Sequence, residues 1–428
     1  MTMTDTGASH PQEIAGVGAR APGDEAGYIR AGTPAFWHTN LAMLCAGFST
    51  FSLLYCVQPL LPVFSRQFHV TPAAASLALS MTTGLLAVSL LVAGSLSEAW
   101  GRKPMMVVAM TVCALLNVLT AVMPVWHGVL VARALEGIAL SGLPAIAMAY
   151  LSEEMHPRSV SLAMGLYVSG SGIGGMAGRL LTAVLTDLTN WRVAVATIGV
   201  LGLFSAAIFA WSLPPSRHFR PRSLALRTLA NGFAGHFRDA GLPWLFIEGF
   251  LIMGSFVTVF NYIGYRLLAP PYNLSQSVVG VLFTIYLVGV FSSTWCGGLA
   301  GRLGRRRVFW VIIAVMLAGV LLTLAHNLVP MILGIALVTF GFFGAHSVAS
   351  GWIGGRARQA RAQAAALYLF FYYVGSSAIG TIGGLFWSDA GWPGVVGLIG
   401  SLLLVALAIG LRLAWLRPLP PPAMSRAG

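Results

Sequence analysis

Two ionisable residues lie three positions apart in an apolar stretch of this 428-residue chain: Arg133 and Glu136, in the segment RALEGIALSG. Residues at this spacing share one face of a helix, so the two side chains can form an ion pair. Burial disfavours the charged carboxyl, whereas the neighbouring guanidinium favours it. The pair could therefore alternate between an ion pair and a protonated carboxyl, which would couple proton movement to a conformational change. The alternative is a fixed structural ion pair.

Glu248 and His346 are two further candidates for proton transfer. Glu248 stands in WLFIEGF, about one turn inside another apolar segment, where it could accept a proton or pair with nearby basic residues. His346 stands near Gly344 in a third apolar segment. Because a histidine titrates close to neutral pH, it could relay protons. The alternative is a neutral histidine held by a hydrogen bond.

The composition predicts that these residues lie in a membrane. Hydrophobic residues make up 57% of the chain and charged residues 9%, and the mean hydropathy is +0.81, which is too apolar for an ordinary soluble domain. A helix needs about 20 mostly apolar residues to cross a bilayer. In lipid such a span satisfies its own backbone hydrogen bonds. The sequence predicts an all-α protein with twelve spans, near residues 39–64, 74–97, 104–123, 128–151, 159–184, 192–213, 244–267, 277–300, 307–326, 329–352, 363–387 and 393–415.

The basic residues predict how these helices are oriented. The net charge is +13, and 20 of the 25 lysines and arginines fall on one side of the predicted spans, against three on the other. Cytoplasmic loops carry such an excess, so we expect both termini in the cytoplasm. The positive charge is then a signal of topology, which anionic lipid could reinforce, rather than a sign of nucleic-acid binding. Arg179, near the outer end of the fifth span, is predicted to reach the surface or to pair with Asp187.

Residues for catalysis or metal binding are not grouped in the sequence. The nine histidines are scattered, and the four cysteines fall in apolar segments without paired spacing. An enzyme would need catalytic groups or metal ligands clustered near one face. We therefore expect no enzyme activity, no metal and no cofactor.

The longest internal connection, residues 214–243, is basic and polar and divides the twelve spans into six and six. The predicted halves are residues 37–213 and 244–416. Residues 1–36 and 417–428 are predicted to be cytoplasmic tails, and the first is expected to be disordered because it is polar.

The two halves repeat a sequence pattern. GSLSEAWGRK at 94–103 matches GGLAGRLGRR, which starts at Gly297, and YVSGSGIGGMAG at 167–178 matches YYVGSSAIGTIG at 372–383. A duplicated six-helix unit predicts a binding site at the interface between the halves, around which the halves rock.

The loop GSLSEAWGRKP resembles the signature loop of the major facilitator superfamily, and the resemblance extends over almost the whole chain. It implies a conformational latch, in which an acid and basic residues link neighbouring helix ends and separate during transport. The latch residues would be Gly94, Glu98, Gly101, Arg102 and Lys103, with Glu98 where the family usually has aspartate. The alternative is that Arg102 and Lys103 only set the topology.

Other segments are similar to twelve-span drug:proton antiporters of this superfamily. SLLYCVQPLLP at 52–62 ends the first span with two prolines, and Arg133 stands where that family has an embedded arginine. GSGIGG at 170–175 resembles the family's glycine motif, with Ser171 in place of proline. This similarity implies tight helix packing at Gly170, Gly174, Gly175 and Gly178. LLYCVQPLLP and GAHSVASGWIG, with other segments in both halves, resemble the YnfM branch of bacterial inner-membrane transporters.

Polar and aromatic residues on the predicted helices are candidates for a substrate cavity: Tyr55, Gln58, Phe256, Asn261, Tyr262 and Tyr372. Such a lining suits an amphipathic or polyol ligand of modest size. Each of these residues, taken alone, is also consistent with helix packing.

The expected function is that of a monomeric secondary transporter in the bacterial inner membrane. It would use the proton gradient to export a small sugar-like or drug-like solute by alternating access. A proton-coupled importer or a facilitator on the same fold is the alternative, because the direction of flux and the coupling to protons are not encoded in any one motif.

Overall fold

The computed structural model describes residues 28–217, 219 and 226–416 of the chain; within these ranges the side chains of residues 94, 95, 98, 99 and 226–231 are not described. In this part the backbone is nearly all helical, and its only β pairing is an isolated bridge between Ile29 and Met155. Most of the two predicted tails and part of the predicted linker, including residues 220–225, fall outside the described residues.

The helices, numbered in chain order, are α1 (Pro34–Tyr55), α2 (Leu61–Phe68), α3 (Pro72–Trp100), α4 (Arg102–Val122), α5 (Trp126–Leu140), α6 (Pro144–Glu154), α7 (Pro157–Leu188), α8 (Trp191–Ser212), α9 (Leu226–Phe237), α10 (Leu242–Leu268), α11 (Gln276–Val281), α12 (Tyr286–Leu303), α13 (Arg305–Leu322), α14 (Leu328–Arg356) and α15 (Arg361–Trp415). Short 3₁₀ turns, Gln58–Leu60 and Leu282–Ile285, stand between α1 and α2 and between α11 and α12.

Twelve membrane spans can be counted in the described part of the chain, as predicted. Ten helical stretches are long and apolar enough to cross a bilayer. The last of them, α15, contains two spans because its backbone leaves the helical conformation at Gly391. The helix α13, which begins with three arginines, supplies the remaining span. The all-α membrane fold is therefore confirmed.

The sequence repeat groups the spans into two halves. α1 to α8 make the first half and α10 to α15 the second. Across the interface, α3 packs against α15, and α7 packs against α11. Any cavity between these pairs of helices is therefore lined by both halves.

Glycines with a left-handed backbone make the same turn in both halves. Gly101 joins α3 to α4 with φ 95°, and Gly304 joins α12 to α13 with φ 90°. A residue with a side chain rarely adopts this conformation. The two glycines are equivalent in the sequence repeat, so the repeat is also a repeat of backbone structure.

A stripe of glycines brings α7 into backbone contact with α1. A Cβ atom at Gly170 would lie 2.7 Å from the carbonyl oxygen of Leu44, and one at Gly174 would overlap the carbonyl oxygen of Phe48. Gly178 packs in the same way against Ser52. The second half repeats this packing between α15 and α10, where Gly375 meets the backbone of Phe250.

Gly175 does not belong to this stripe. Its nearest neighbours are the guanidinium of Arg179, on its own helix, and the side chain of Phe51, and it lines the space between the halves. Three of the four glycines that the motif predicted as packing positions thus lie at the α1–α7 contact. The fourth lies on a neighbouring face of the helix, because one residue turns an α-helix by about 100°.

Replacing Gly174 with alanine should lower the thermal stability of the purified protein. The added methyl group would push α1 and α7 apart, and overpacking of this kind costs about 1–3 kcal/mol. The matched control is Gly165→Ala on the same helix, where a Cβ meets no atom within 4 Å. Equal unfolding temperatures for the two variants in detergent would contradict the close contact.

Candidate substrate cavity

A cavity of about 540 Å³ lies between the two halves. α1 and α7 line it from the first half, and α10, α12, α14 and α15 line it from the second. The wall is mainly aromatic and aliphatic. Its polar groups are hydroxyls, the imidazole of His346 and the guanidinium of Arg179; no carboxylate, lysine or amide side chain is among the described residues that line it.

Hydrogen bonds between the halves close one end of the cavity. The Nε2 atom of Gln58 donates to Oδ1 of Asn261 at 2.8 Å. Farther along, the hydroxyls of Ser65 and Tyr265 lie 2.7 Å apart. These residues follow the end of α1 and occupy the second half of α10, so the closure lies at the end of the bundle away from the Gly101 and Gly304 turns.

The other end of the cavity is open. Gly165 of α7 lines the cavity toward this end, and a Cβ atom there would meet nothing within 4 Å. The turns at Gly101 and Gly304 are on this side, together with the arginines that begin α13. In the predicted orientation this is the cytoplasmic end.

Arg179 reaches into the cavity from α7, and the sequence-based interpretation of this residue is wrong. Its side chain is 1% exposed and neither reaches the surface nor pairs with Asp187, which instead accepts a hydrogen bond from the backbone of Ser277. The Nε atom of Arg179 donates to Oε1 of Gln58 at 2.6 Å.

Aromatic rings hold the Arg179 guanidinium in place. Its central carbon lies 4.0 Å from the ring centre of Tyr55 and 4.7 Å from that of Tyr286. Such contacts attract a cation but do not neutralise it. Among the described side chains, no carboxylate pairs with Arg179, so its charge is uncompensated.

His346 lies at the cavity wall, on α14. Its Nδ1 atom is 2.9 Å from the hydroxyl of Tyr368 on α15, and its ring lies 5.0 Å from the ring of Tyr372. The imidazole is therefore both exposed to the cavity and hydrogen-bonded behind it. This geometry accommodates either of the two predicted roles, because a bonded neutral histidine can also relay a proton.

Glu248, on α10, is not among the residues that line the cavity. Its side chain is fully buried, and neither carboxyl oxygen has a hydrogen-bond partner among the described residues. The ring of Tyr368 packs against the adjacent Gly249. The predicted alternative of pairing with basic residues does not occur in this conformation, since no described basic side chain bonds to Glu248.

Arg133 and Glu136 form a buried ion pair that does not line the cavity. Both side chains are 0% exposed, and Nη1 of Arg133 lies 2.7 Å from Oε2 of Glu136. Arg133 also donates to the carbonyls of Leu53 and Leu54 at 3.1 and 2.7 Å. A helix leaves its last four carbonyls without partners. Arg133 therefore caps the end of α1, which the prolines that follow prevent from continuing.

Comparison with known proteins agrees with this architecture. The sequence profile of the Major Facilitator Superfamily matches residues 43–273 and 245–427, which together cover nearly the whole chain. The chain belongs to the major facilitator superfamily. The predicted resemblance to this superfamily is confirmed, and both homologues and fold are those of transporters rather than enzymes.

Two relatives are each 53% identical to this superfamily member. The uncharacterized MFS-type transporter YybF of Bacillus subtilis matches over 387 residues, which is 90% of this chain and 96% of YybF. The inner membrane transport protein YnfM of Escherichia coli matches over 386 residues, 90% of this chain and 93% of YnfM. The chain is therefore similar to multi-pass bacterial membrane transporters, and the resemblance to the YnfM branch is confirmed.

A solved structure shares the fold at low sequence identity. It is a bacterial homologue of the human lysosomal transporter Spinster in an inward-facing and unoccupied conformation, with a TM-score of 0.74 and 13% identity. The match covers 90% of this chain and 98% of the homologue. At this identity the likeness shows the fold alone.

The superfamily loop of this chain forms an ion pair with an acid that sequence analysis missed. The Nη2 atom of Arg102 lies 2.7 Å from Oε1 of Glu153, at the end of α6. Lys103 donates to the carbonyl of Leu213, after α8. The two adjacent glutamates in SEEMHP, residues 152–157, are the sequence feature that could have indicated this partner. Gly94 lies within α3, and the side chain of Glu98 is outside the described part of the structure.

The six predicted cavity residues fall into three groups. Tyr55, Phe256 and Tyr372 line the cavity. Gln58 and Asn261 bond to each other where the halves close, next to the cavity rather than in its wall. The remaining candidate, Tyr262, does not line the cavity in this conformation. It is buried between helices, and its hydroxyl donates to the carbonyl of Gly380 at 2.7 Å.

Breaking the Arg102–Glu153 pair should shift the protein away from the present conformation. A partly exposed ion pair contributes up to about 1 kcal/mol, so Glu153→Gln should change the conformational equilibrium by up to about fivefold. Labelling of a cysteine introduced at Ser80, which is buried between the halves here, would measure the shift.

Asp389→Asn is the control for this variant, because Asp389 is an exposed acid near the opposite end of the bundle. It should leave the labelling rate of the introduced cysteine unchanged. Equal labelling rates for Glu153→Gln and the parent protein would show that the pair does not act as a latch.

Proposed function

We propose that this protein is a proton-driven exporter of a small organic solute. The proton gradient is its energy source, and no cofactor takes part. The cavity, open at one end and closed by hydrogen bonds at the other, supports alternating access. One chain encloses the whole cavity, which supports action as a monomer. The 20 basic residues on the side of the open end support a cytoplasmic position for that end and for both termini.

The observation that carries the proton coupling is the environment of Glu248. A buried carboxylate without a hydrogen bond or a counter-charge is far more costly than a neutral carboxylic acid. In the conformation described, Glu248 has neither partner. It is therefore most stable with a proton bound, and it can release that proton only when its surroundings change. A proton carrier in an alternating-access transporter has this property.

The side chains of Tyr368 and His346 connect the surroundings of Glu248 with the cavity. The ring of Tyr368 packs against Gly249, the residue after Glu248, and its hydroxyl is hydrogen-bonded to His346, which faces the cavity. Loss of the proton would attract the Tyr368 hydroxyl toward the carboxylate and free the imidazole. The protonation state of Glu248 would thus change the cavity wall, and a solute bound there would change the cost of releasing the proton.

Export is the direction favoured by the antiporter-like features. The embedded Arg133 caps the proline-broken end of α1, and the glycine stripe of α7 packs against the same helix. The alternative, a proton-coupled importer or a facilitator, would use the same cavity. Solute and proton would then move in the same direction, or no proton would move.

Glu248→Gln should abolish proton-driven transport, because glutamine cannot release a proton. Energised everted vesicles with a fluorescent pH dye provide the assay, with sugars, sugar alcohols, amphipathic drugs and organic acids added singly. A compound that dissipates the gradient only in vesicles carrying the parent protein is exported in exchange for protons. The variant should not respond to it.

Two results would contradict this proposal. An undiminished response by Glu248→Gln would remove Glu248 from the coupling mechanism. If no compound dissipates the gradient but one accumulates in whole cells that produce the protein, the importer or facilitator is the correct function.

Glu136→Gln should instead lower stability and leave coupling per folded molecule intact. Removal of one partner leaves Arg133 buried without a counter-charge, which costs about 3–5 kcal/mol. Glu248→Gln is the matched control, since it replaces a buried carboxyl that has no partner and should leave the unfolding temperature nearly unchanged. If Glu136→Gln were fully stable but uncoupled, Glu136 would be the proton carrier.

A further inference from the structure

We propose that the solute carried in this cavity is an organic anion, with one acidic head group bound by Arg179 and an aromatic or aliphatic body held by the surrounding rings. This inference rests on the proposed function in one respect, which is that the cavity is the transport site. It replaces the sugar-like and drug-like classes with a single chemical class.

Arg179 differs from the other buried arginines in that it has no acidic partner among the described residues. Four arginines are buried in the described part of the chain. Three of them pair with an acid: Arg102 with Glu153, Arg133 with Glu136, and Arg356 with Asp239. Arg179 alone has no carboxylate partner there. An uncompensated charge inside the membrane is costly and usually functional.

The Arg179 guanidinium retains donors for a ligand. It carries five N–H groups. The recorded acceptors are the side chain of Gln58 and the carbonyl of Gly175. The rings of Tyr55 and Tyr286 approach the guanidinium carbon and fix its orientation. The remaining N–H groups can bind a carboxylate or a similar oxyanion through two parallel hydrogen bonds.

The rest of the wall selects against the other solute classes. A cationic drug would be repelled by the charge of Arg179, with no acid in the described lining to offset it, and a polyol would find no amide or carboxylate side chains there. Aromatic rings dominate instead: Phe256 and Phe342 stack with centres 3.9 Å apart, and Phe343 and Tyr286 meet them edge to face. Such a surface favours an apolar body.

Arg179 also connects the cavity with its closed end. Gln58 accepts a hydrogen bond from Arg179 and donates one to Asn261 in the opposite half. An anion that draws the guanidinium toward itself would weaken its bond to Gln58 and disturb the contact with Asn261. Occupancy of the cavity would thereby favour opening of the closed end, as an exporter requires.

A charge series of one ligand body tests this inference. The probes are 2-naphthoate, 2-naphthalenemethanol and 2-naphthylmethylammonium, which share a ring system and differ in charge. Titration calorimetry on the purified protein in neutral detergent gives the Kd of each. We expect 2-naphthoate to bind at least about tenfold more tightly than the other two, as a charged hydrogen bond allows.

Variants at Arg179 assign the binding to that residue. Arg179→Gln should abolish the preference for 2-naphthoate, whereas Arg179→Lys, which keeps the charge but not the planar pair of donors, should retain part of it. Arg412→Gln is the control, because Arg412 is exposed and lies outside the cavity. The charge series on the unmodified protein remains decisive if Arg179→Gln does not fold.

The outcomes separate this inference from the proposed proton coupling. Equal binding of the three probes, or a preference that survives Arg179→Gln, would overturn the anion class even if vesicles show proton-driven export of a neutral solute. Selective, Arg179-dependent binding of 2-naphthoate would support it even if no compound dissipates the proton gradient, in which case only the coupling mechanism fails.

Discussion

A charge inside a lipid-embedded helical bundle is neutralised by the protein or by something that the protein binds, because water cannot do so. This constraint explains much of the present structure. Arg133 is matched by Glu136 and by the carbonyls that end α1. At the edge of the bundle, burial raises the pKa of Asp239, but hydrogen bonds from Arg356 and from two backbone amides outweigh burial and hold that pKa below its usual value. Among the buried charged groups that the structure describes, only Arg179 and Glu248 depart from the pattern, and in opposite ways: Arg179 has no carboxylate partner there, and Glu248 has no hydrogen-bond donor there.

Much of the fold could be predicted from sequence because lipid imposes simple rules on composition. Apolar length gave the twelve spans, and the repeated Gly101 and Gly304 turns followed from the repeated motif. The break in the first span was visible as two prolines. The direction in which each side chain points was less predictable. A helix that is apolar all round has no polar face to show which side is turned toward lipid and which toward the protein interior. For this reason Gly175 was assigned to the packing stripe and Tyr262 to the cavity, whereas the structure places each elsewhere.

The site was predictable only in part, because its defining contacts join residues far apart in the chain. Arg179 lies 121 positions from Gln58, and no local pattern shows that these two side chains meet. Glu153 was likewise missed as the partner of Arg102, since the two residues are 51 positions apart and belong to different helices. Sequence identified which residues are costly to bury. The fold decided which of those costs are offset within the protein and which are left for a ligand or a proton.

The two unmatched groups lie in parts of the bundle that would move differently. Arg179 is on α7, whose glycines lock it to α1, so an anion held by Arg179 is attached to the α1–α7 unit. Glu248 and Tyr368 are on α10 and α15, which are joined by the equivalent contact at Gly375. In the proposed mechanism, ligand and proton would therefore act on opposite halves, and the hydrogen bond from Gln58 to Asn261 joins these halves. The two groups would be coupled through the cavity wall, because Tyr368 packs beside Glu248 and is hydrogen-bonded to His346, which lines the same cavity as Arg179.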